Sequence, residues 1–261
     1  ESGEYDVYLD LLRYLKNQFI DAKNLGSLID VNSKYLVGLL RLHDKLLDKS
    51  VESDTVATPA AQHLLPIVKQ AILLSTRYDA VIANPPYMGA KGMNSELKAF
   101  AKDNYPDSKL DLFAIFMERG FGFLNDNGYN AQVNMQSWMF LSSYQKMRES
   151  LLDTKTFITM AHLGARAFGQ ISGEVVQTTA WVLKKIHIKD YQPVFFRLID
   201  GGEEIKKTKL LAQENRFDQV KQSEFSKIPG NPIAYWVSNQ FRDNYNGNKI
   251  IKEVFKPAVG L

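Results

Sequence analysis

The sequence predicts an α/β fold: a mainly parallel sheet flanked by helices, with antiparallel strands at its edge and a helical segment ahead of it. Three observations predict this. The first third of the chain repeats apolar residues at helical spacing. A short apolar run, Asp79-Ala80-Val81-Ile82-Ala83, then stops at two prolines. Beyond it, strand-like and helix-like stretches alternate before two or three strands follow in succession.

In order, residues 5–22 place Tyr5, Tyr8, Leu9, Leu12, Leu15, Phe19 and Ile20 at helical spacing, and residues 33–48 do the same with Leu36, Leu39, Leu40, Leu46 and Leu47. A polar loop follows over 49–58. Pro59 then suits the first turn of a helix reaching about Thr76. The run at 79–83 suits a strand buried on both faces, and Pro85-Pro86 must end it, because proline cannot donate to a ladder. Residues 95–103 and 108–124 read as helices. Asn125-Asp126-Asn127-Gly128 reads as a turn, residues 129–133 as a second strand and 144–152 as a helix. Residues 156–162, 175–184 and 191–199 are strand-like. The connection over 163–174 carries Gly164, Gly169 and Gly173. After about residue 202 the text turns polar and loop-rich, punctuated by Ile228-Pro229-Gly230-Asn231-Pro232.

Composition narrows the chemistry. With 45% apolar and 23% charged residues in 261, the chain is an ordinary globular one with enough material for a sizeable core. No apolar run is long enough to cross a bilayer, and residues 1–4 carry no signal-peptide pattern, so a cytoplasmic protein without a membrane partner is expected. The absence of cysteine excludes disulfides, zinc–thiolate sites and thiol nucleophiles. His43, His63, His162 and His187 show no metal-ligand spacing; each reads as a surface or hydrogen-bonded histidine, and no metal is expected. A net charge of +3 permits a nucleic-acid partner without demanding one.

The tetrad Asn84-Pro85-Pro86-Tyr87 carries the chemistry. An exocyclic amine on a base is a poor nucleophile because its lone pair is delocalised into the ring. Two acceptors on the amino hydrogens favour a more pyramidal, more nucleophilic nitrogen. An asparagine oxygen and the next residue's carbonyl can supply them, with proline holding that carbonyl in place. A neighbouring aromatic can stack on a base taken out of the duplex. Such a tetrad arises by accident in roughly one chain in a hundred of this length. A strand closed by a Pro-Pro turn with a packed tyrosine is the other competing account. Its place just past the carboxyl end of a strand, where open α/β sheets bind ligands, favours function.

Val81-Ile82-Ala83-Asn84-Pro85-Pro86-Tyr87-Met88-Gly89 resembles motif IV of the N6-adenine-specific DNA methyltransferases. Further segments share the resemblance, among them Lys109-Leu110-Asp111-Leu112-Phe113-Ala114, Ser172-Gly173-Glu174-Val175-Val176-Gln177-Thr178-Thr179-Ala180 and Ile228-Pro229-Gly230-Asn231-Pro232-Ile233-Ala234-Tyr235-Trp236. Together they are most similar to the PglX family of BREX phage-exclusion systems and related single-chain type II restriction–modification enzymes. The resemblance implies the second half of a Rossmann-like methyltransferase sheet, S-adenosylmethionine as methyl donor, and double-stranded DNA as partner, with other defence-system subunits as further partners. Asn84 and Pro85 would bind the target amino group, Pro86 would complete the motif and Tyr87 would stack. The family places a second aromatic from a later loop on the base. Phe168 is the candidate, against packing on the sheet edge. Asp111 is a candidate for a hydrogen bond near the site or, alternatively, for a helix N-cap.

Residues 1–77 lack the glycine-rich turn after a strand with which this family binds its cofactor, and Gly120-Phe121-Gly122 follows a helix, which suits helix-end packing. The expected organisation is therefore an internal fragment: residues 1–77 a helical lead-in, 78–202 the C-terminal half of the catalytic domain, and 203–261 a linker and the start of a target-recognition region. Lacking half the sheet, the strand at 79–83 is expected at an edge, where it could support a dimer. Two other readings keep the tetrad. One is a protein-glutamine or ribosomal-RNA methyltransferase; the other is a non-catalytic DNA-binding or scaffold subunit.

Overall fold

The computed structural model describes residues 2–167 and 176–245. The chain divides into two compact units, 1–78 with 95–97, and 79–94 with 98–261.

The first unit is helical, as the periodicity predicts. It comprises α1 (Ser2–Gln18), α2 (Ala22–Leu25), α3 (Leu36–Lys49) and α4 (Ala57–Ser75). Leu11, Leu15, Ile29, Val31, Leu39, Leu42, Val68 and Ala71 form its core. Asp54 starts α4 by accepting hydrogen bonds from the Val56 and Ala57 amides at 2.8 and 2.7 Å. Pro59 sits in the first turn of α4, and Pro66 lies inside the helix.

In the second unit six strands form one sheet: β1 (Tyr78–Ala83), β2 (Leu124–Met135), β3 (Thr156–Gly164), β4 (Thr178–Lys184), β5 (Val194–Arg197) and β6 (Arg216–Phe217), in the order β1-β2-β4-β3-β5-β6. β4 is antiparallel to both β2 and β3, β3 and β5 are parallel, and β6 closes the far edge antiparallel to β5. Asn125 at the head of β2 donates to Asp79 at the head of β1 at 2.8 Å, and Ile82 and Ala83 lie beside Ala131 and Val133. The two strands therefore run the same way. The carboxyl ends of β1, β2, β3 and β5 all point to one end of the sheet, where β4 begins.

The helices of this region are α5 (Ser95–Asn104), α6 (Leu112–Gly122), α7 (Gln145–Thr154), α8 (Glu203–Leu211) and α9 (Asn239–Asp243). α6 buries Leu112, Phe113, Ile115, Met117 and Phe121, each contributing roughly 1.5–3 kcal/mol of apolar burial. It packs on the β2 face carrying Asn130, Gln132 and Asn134, all buried. Each makes a hydrogen bond in place, while Oε1 of Gln132 and Nδ2 of Asn134 stay buried without a partner among the described residues. Asn130 donates to the Met117 carbonyl at 3.0 Å, Gln132 to that of Phe116 at 2.8 Å, and Asn134 accepts from the Trp181 indole at 3.0 Å.

Three sequence expectations change. β1 is not buried on both faces: Ile82 is 84% exposed, because β1 stands at the sheet edge and one face there is uncovered. That face opens on an apolar hollow of about 320 Å³ lined by Ile82, Ala131, Val133, Ala161, Val182 and Phe196. The turn signal at 125–128 is absorbed into β2, since Asn125 bonds to Asp79 and Gly128 passes within reach of the Asp79 carbonyl, where a Cβ would come to 3.0 Å. The polar stretch after 202 also contains α8 and β6.

Candidate active site

β1 ends at Ala83 and delivers Asn84 into solvent. Pro85 is buried, Pro86 exposed and Tyr87 half-buried. No hydrogen bond ties the Asn84 side chain among the described residues, so its amide is available to a ligand. The Tyr87 ring meets Phe113 edge-on at 6.2 Å, and Phe113 in turn meets Tyr144 at 5.9 Å. Aromatic packing thus fixes the tyrosine from one side. Burial, helped by the negative charge of Asp111, pushes the Tyr87 hydroxyl up from its ordinary value and Tyr144 up to about 12, so both rings remain neutral phenols.

The loop that follows is pinned to α6. Asp111 is the N-cap of α6 and accepts from the Phe113 amide at 3.2 Å. The same oxygen accepts from the Met88 amide at 3.0 Å, one residue past Tyr87. Leu112 N–H donates to the Met88 carbonyl at 3.0 Å, and Ala90 N–H to that of Leu110 at 2.8 Å. Of the two roles weighed for Asp111, the structure displays the cap and adds a clamp on the tetrad loop. Burial raises the Asp111 pKa, and the backbone amides of Phe113, Met88 and Leu112 oppose the rise. Phe168 lies outside the described residues.

The same end of the sheet carries a cluster that the sequence did not single out. Gln136, just past β2, accepts a hydrogen bond from Nε2 of His162, which is 5% exposed, and donates to Gln177. Phe140, Tyr235 and Trp236 surround the imidazole at 6.2, 6.3 and 5.9 Å. Burial, with the Arg197 and Lys206 cations beside it, lowers the His162 pKa to about 4. The 172–180 and 228–236 segments marked part of this group in the sequence. Partners brought from residues 136, 162, 177 and 197 share no local spacing. Among the described residues no group of histidine and acidic side chains could hold a metal, and no helix is long and apolar enough to cross a membrane.

An exposed asparagine at a strand end, backed by a fixed aromatic, can be set beside known proteins. Residues 39–168 match the family described as Eco57I restriction-modification methylase. More closely, the chain is a relative of two adenine-specific methyltransferases. It is 56% identical over 245 residues to BrxX of Escherichia coli O9:H4 (strain HS), covering 94% of this chain and 20% of that protein. It is 38% identical over 238 residues to PglX of Lacticaseibacillus casei (strain Zhang), covering 85% and 19%. The chain thus spans about one-fifth of the length of these curated relatives. Among solved structures, a nuclease-deletion mutant of the Type ISP restriction-modification enzyme LlaGI with a DNA substrate mimic is 18% identical over 65% of this chain and 16% of that one, with a TM-score of 0.43. That likeness is too loose to bear on the site.

Proposed function

We propose that this chain carries the base-binding part of an adenine-N6 DNA methyltransferase of a restriction–modification or phage-defence system, working on double-stranded DNA in the cytoplasm. The exposed, unpaired Asn84 amide at the carboxyl end of β1 carries the reading. Its side-chain oxygen and the Pro85 carbonyl accept the two amino hydrogens of an adenine turned out of the duplex, and Tyr87 stacks on the ring. Asp111 positions all three through the Met88 amide. Phe168 supplies a second ring against the base. Residues 78–202 form the base-binding half of the catalytic domain, 1–77 lead into it and 203–261 lead towards target recognition.

S-adenosylmethionine is the methyl donor this reading implies, and it would supply an electrophilic methyl group. The residues here do not fit that group. Among the described residues no strand precedes β1, and Gly26 follows the short helix α2, so no strand-to-glycine turn is present to approach a cofactor.

In the full-length parent, Asn84→Ala is expected to lower methylation of adenine in duplex DNA by at least a hundredfold, on the order of one lost transition-state hydrogen bond. Tritium transfer to DNA, structured RNA and release-factor protein reads both the loss and the substrate class. Undiminished DNA methylation by a folded variant would remove the assignment. Methyl transfer to RNA or protein instead would move it to those substrates.

A further inference from the structure

Trp236 and Phe140 present a second apolar surface at the tetrad's end of the sheet. Their rings meet edge-on at 5.7 Å, Phe140 is 36% exposed and Trp236 half-buried. The Arg197 guanidinium lies 5.3 Å over the Trp236 ring. Its Nε is buried without a hydrogen-bond partner, and no carboxylate pairs with it among the described residues. Phe140 also walls a hollow of about 430 Å³ with Ser142, Gln145 and Pro232, room enough for a planar ring. Exposed aromatic faces with an uncompensated cation are the elements that hold unpaired bases without reading their sequence.

Distance separates this surface from the tetrad. His162, which packs on both rings, belongs to β3, three strand spacings from β1. At roughly 4.8 Å per spacing the two places lie on the order of 14 Å apart. One base cannot occupy both.

We infer that Phe140 and Trp236, with Arg197, form a stacking platform for a second, unpaired nucleobase of the DNA, apart from the base that Asn84 holds. The inference rests on the proposed reading of the tetrad for its ligand class. Turning a base out of a duplex disrupts its neighbours, and a platform at this spacing would hold one of them. Gln136, half-buried, and Gln177, exposed, lie at the foot of the platform.

Trp138 and Trp181 are 0% and 2% exposed, so Trp236 is the tryptophan a base can reach. Titrating this chain with a single-stranded oligothymidylate should quench tryptophan fluorescence saturably. An abasic strand of equal length, which offers phosphates alone, should quench little. Trp236→Ala should bind about five- to a hundredfold more weakly, as expected for one lost base–aromatic stack. Trp236→Phe should bind within about threefold of the unaltered chain, which separates loss of stacking from loss of fold. Equal quenching by the abasic strand, or unchanged affinity in Trp236→Ala, overturns the platform. A failed platform beside a parent that still depends on Asn84 would refute this inference alone. Persisting quenching in a chain whose parent methylates no DNA would refute the proposed function alone.

Discussion

His162 shows how a single side chain can make stability depend on pH. Its protonated form is disfavoured in the fold by burial and by the Arg197 and Lys206 cations, which bring its pKa down to about 4. The unfolded chain keeps the ordinary value of about 6.5, so between these values the unfolded state binds more protons. The contribution is therefore complete above about pH 6.5 and is lost as the pH falls towards 4, amounting at most to about 3 kcal/mol. Urea midpoints should drop between pH 7 and pH 5, and His162→Gln should flatten that slope; an equal slope in the variant would acquit the histidine. Asp111 acts without titrating. Asp111→Ala strips an acceptor from the Met88 and Phe113 amides and should cost about 1–2 kcal/mol of stability in thermal melts. Asp111→Asn keeps an acceptor oxygen and should cost less than about 1 kcal/mol. Matching losses in the two variants would mean that the charge, rather than the acceptor, holds the loop.

The contact of α6 with β2 is the element on which site geometry depends, since α6 carries both Asp111's cap and the phenylalanine behind Tyr87. Gly120 lets the two approach: a Cβ there would fall 2.6 Å from the Asn130 amide. Gly120→Ala should destabilise by about 1–3 kcal/mol, as overpacking does, and Gly120→Ala combined with Asn130→Ala should recover part of it in a double-mutant cycle. Exact additivity would show that the two residues do not meet. How much of these elements the sequence discloses follows from what each depends on. The end of β1 was legible because two prolines impose it locally. The helix face of α6 was legible because one apolar stripe meets one core, whereas in α3 the stripe took in the exposed Leu40 and Leu47 and passed over the buried Leu42. The exposure of β1 was not, since burial is decided by neighbouring strands rather than by the run itself. Asn130, Gln132 and Asn134 look like a solvent face when read alone; only their pairing with α6 carbonyls and the Trp181 indole shows them inside. The tetrad was legible as a local pattern. The Gln136, His162 and Gln177 cluster was not, because three separate strand ends assemble it.

At the scale of the molecule, the second unit presents the proposed base-binding end without a matching cofactor turn among its described residues. Calorimetry on this chain should find S-adenosylmethionine binding weak or absent. A low-micromolar dissociation constant would mean that residues outside the expected turn build a pocket. The bare face around Ile82 and the free edge of β1 also favour association, and the notion of a dimer through that edge is a proposal that sedimentation at rising concentration can settle. The strand order has a further bearing on how the protein is made. β4 lies between β2 and β3 yet follows both in the chain. While a ribosome is still short of residue 184, β2 and β3 have a gap between them that nothing else in the described sheet can fill. With some forty residues between β2 and β4, and synthesis at about 5–20 residues per second, the nascent sheet waits several seconds for its central strand. During that interval the apolar edges of β2 and β3 stand open, and a cell would have to guard them.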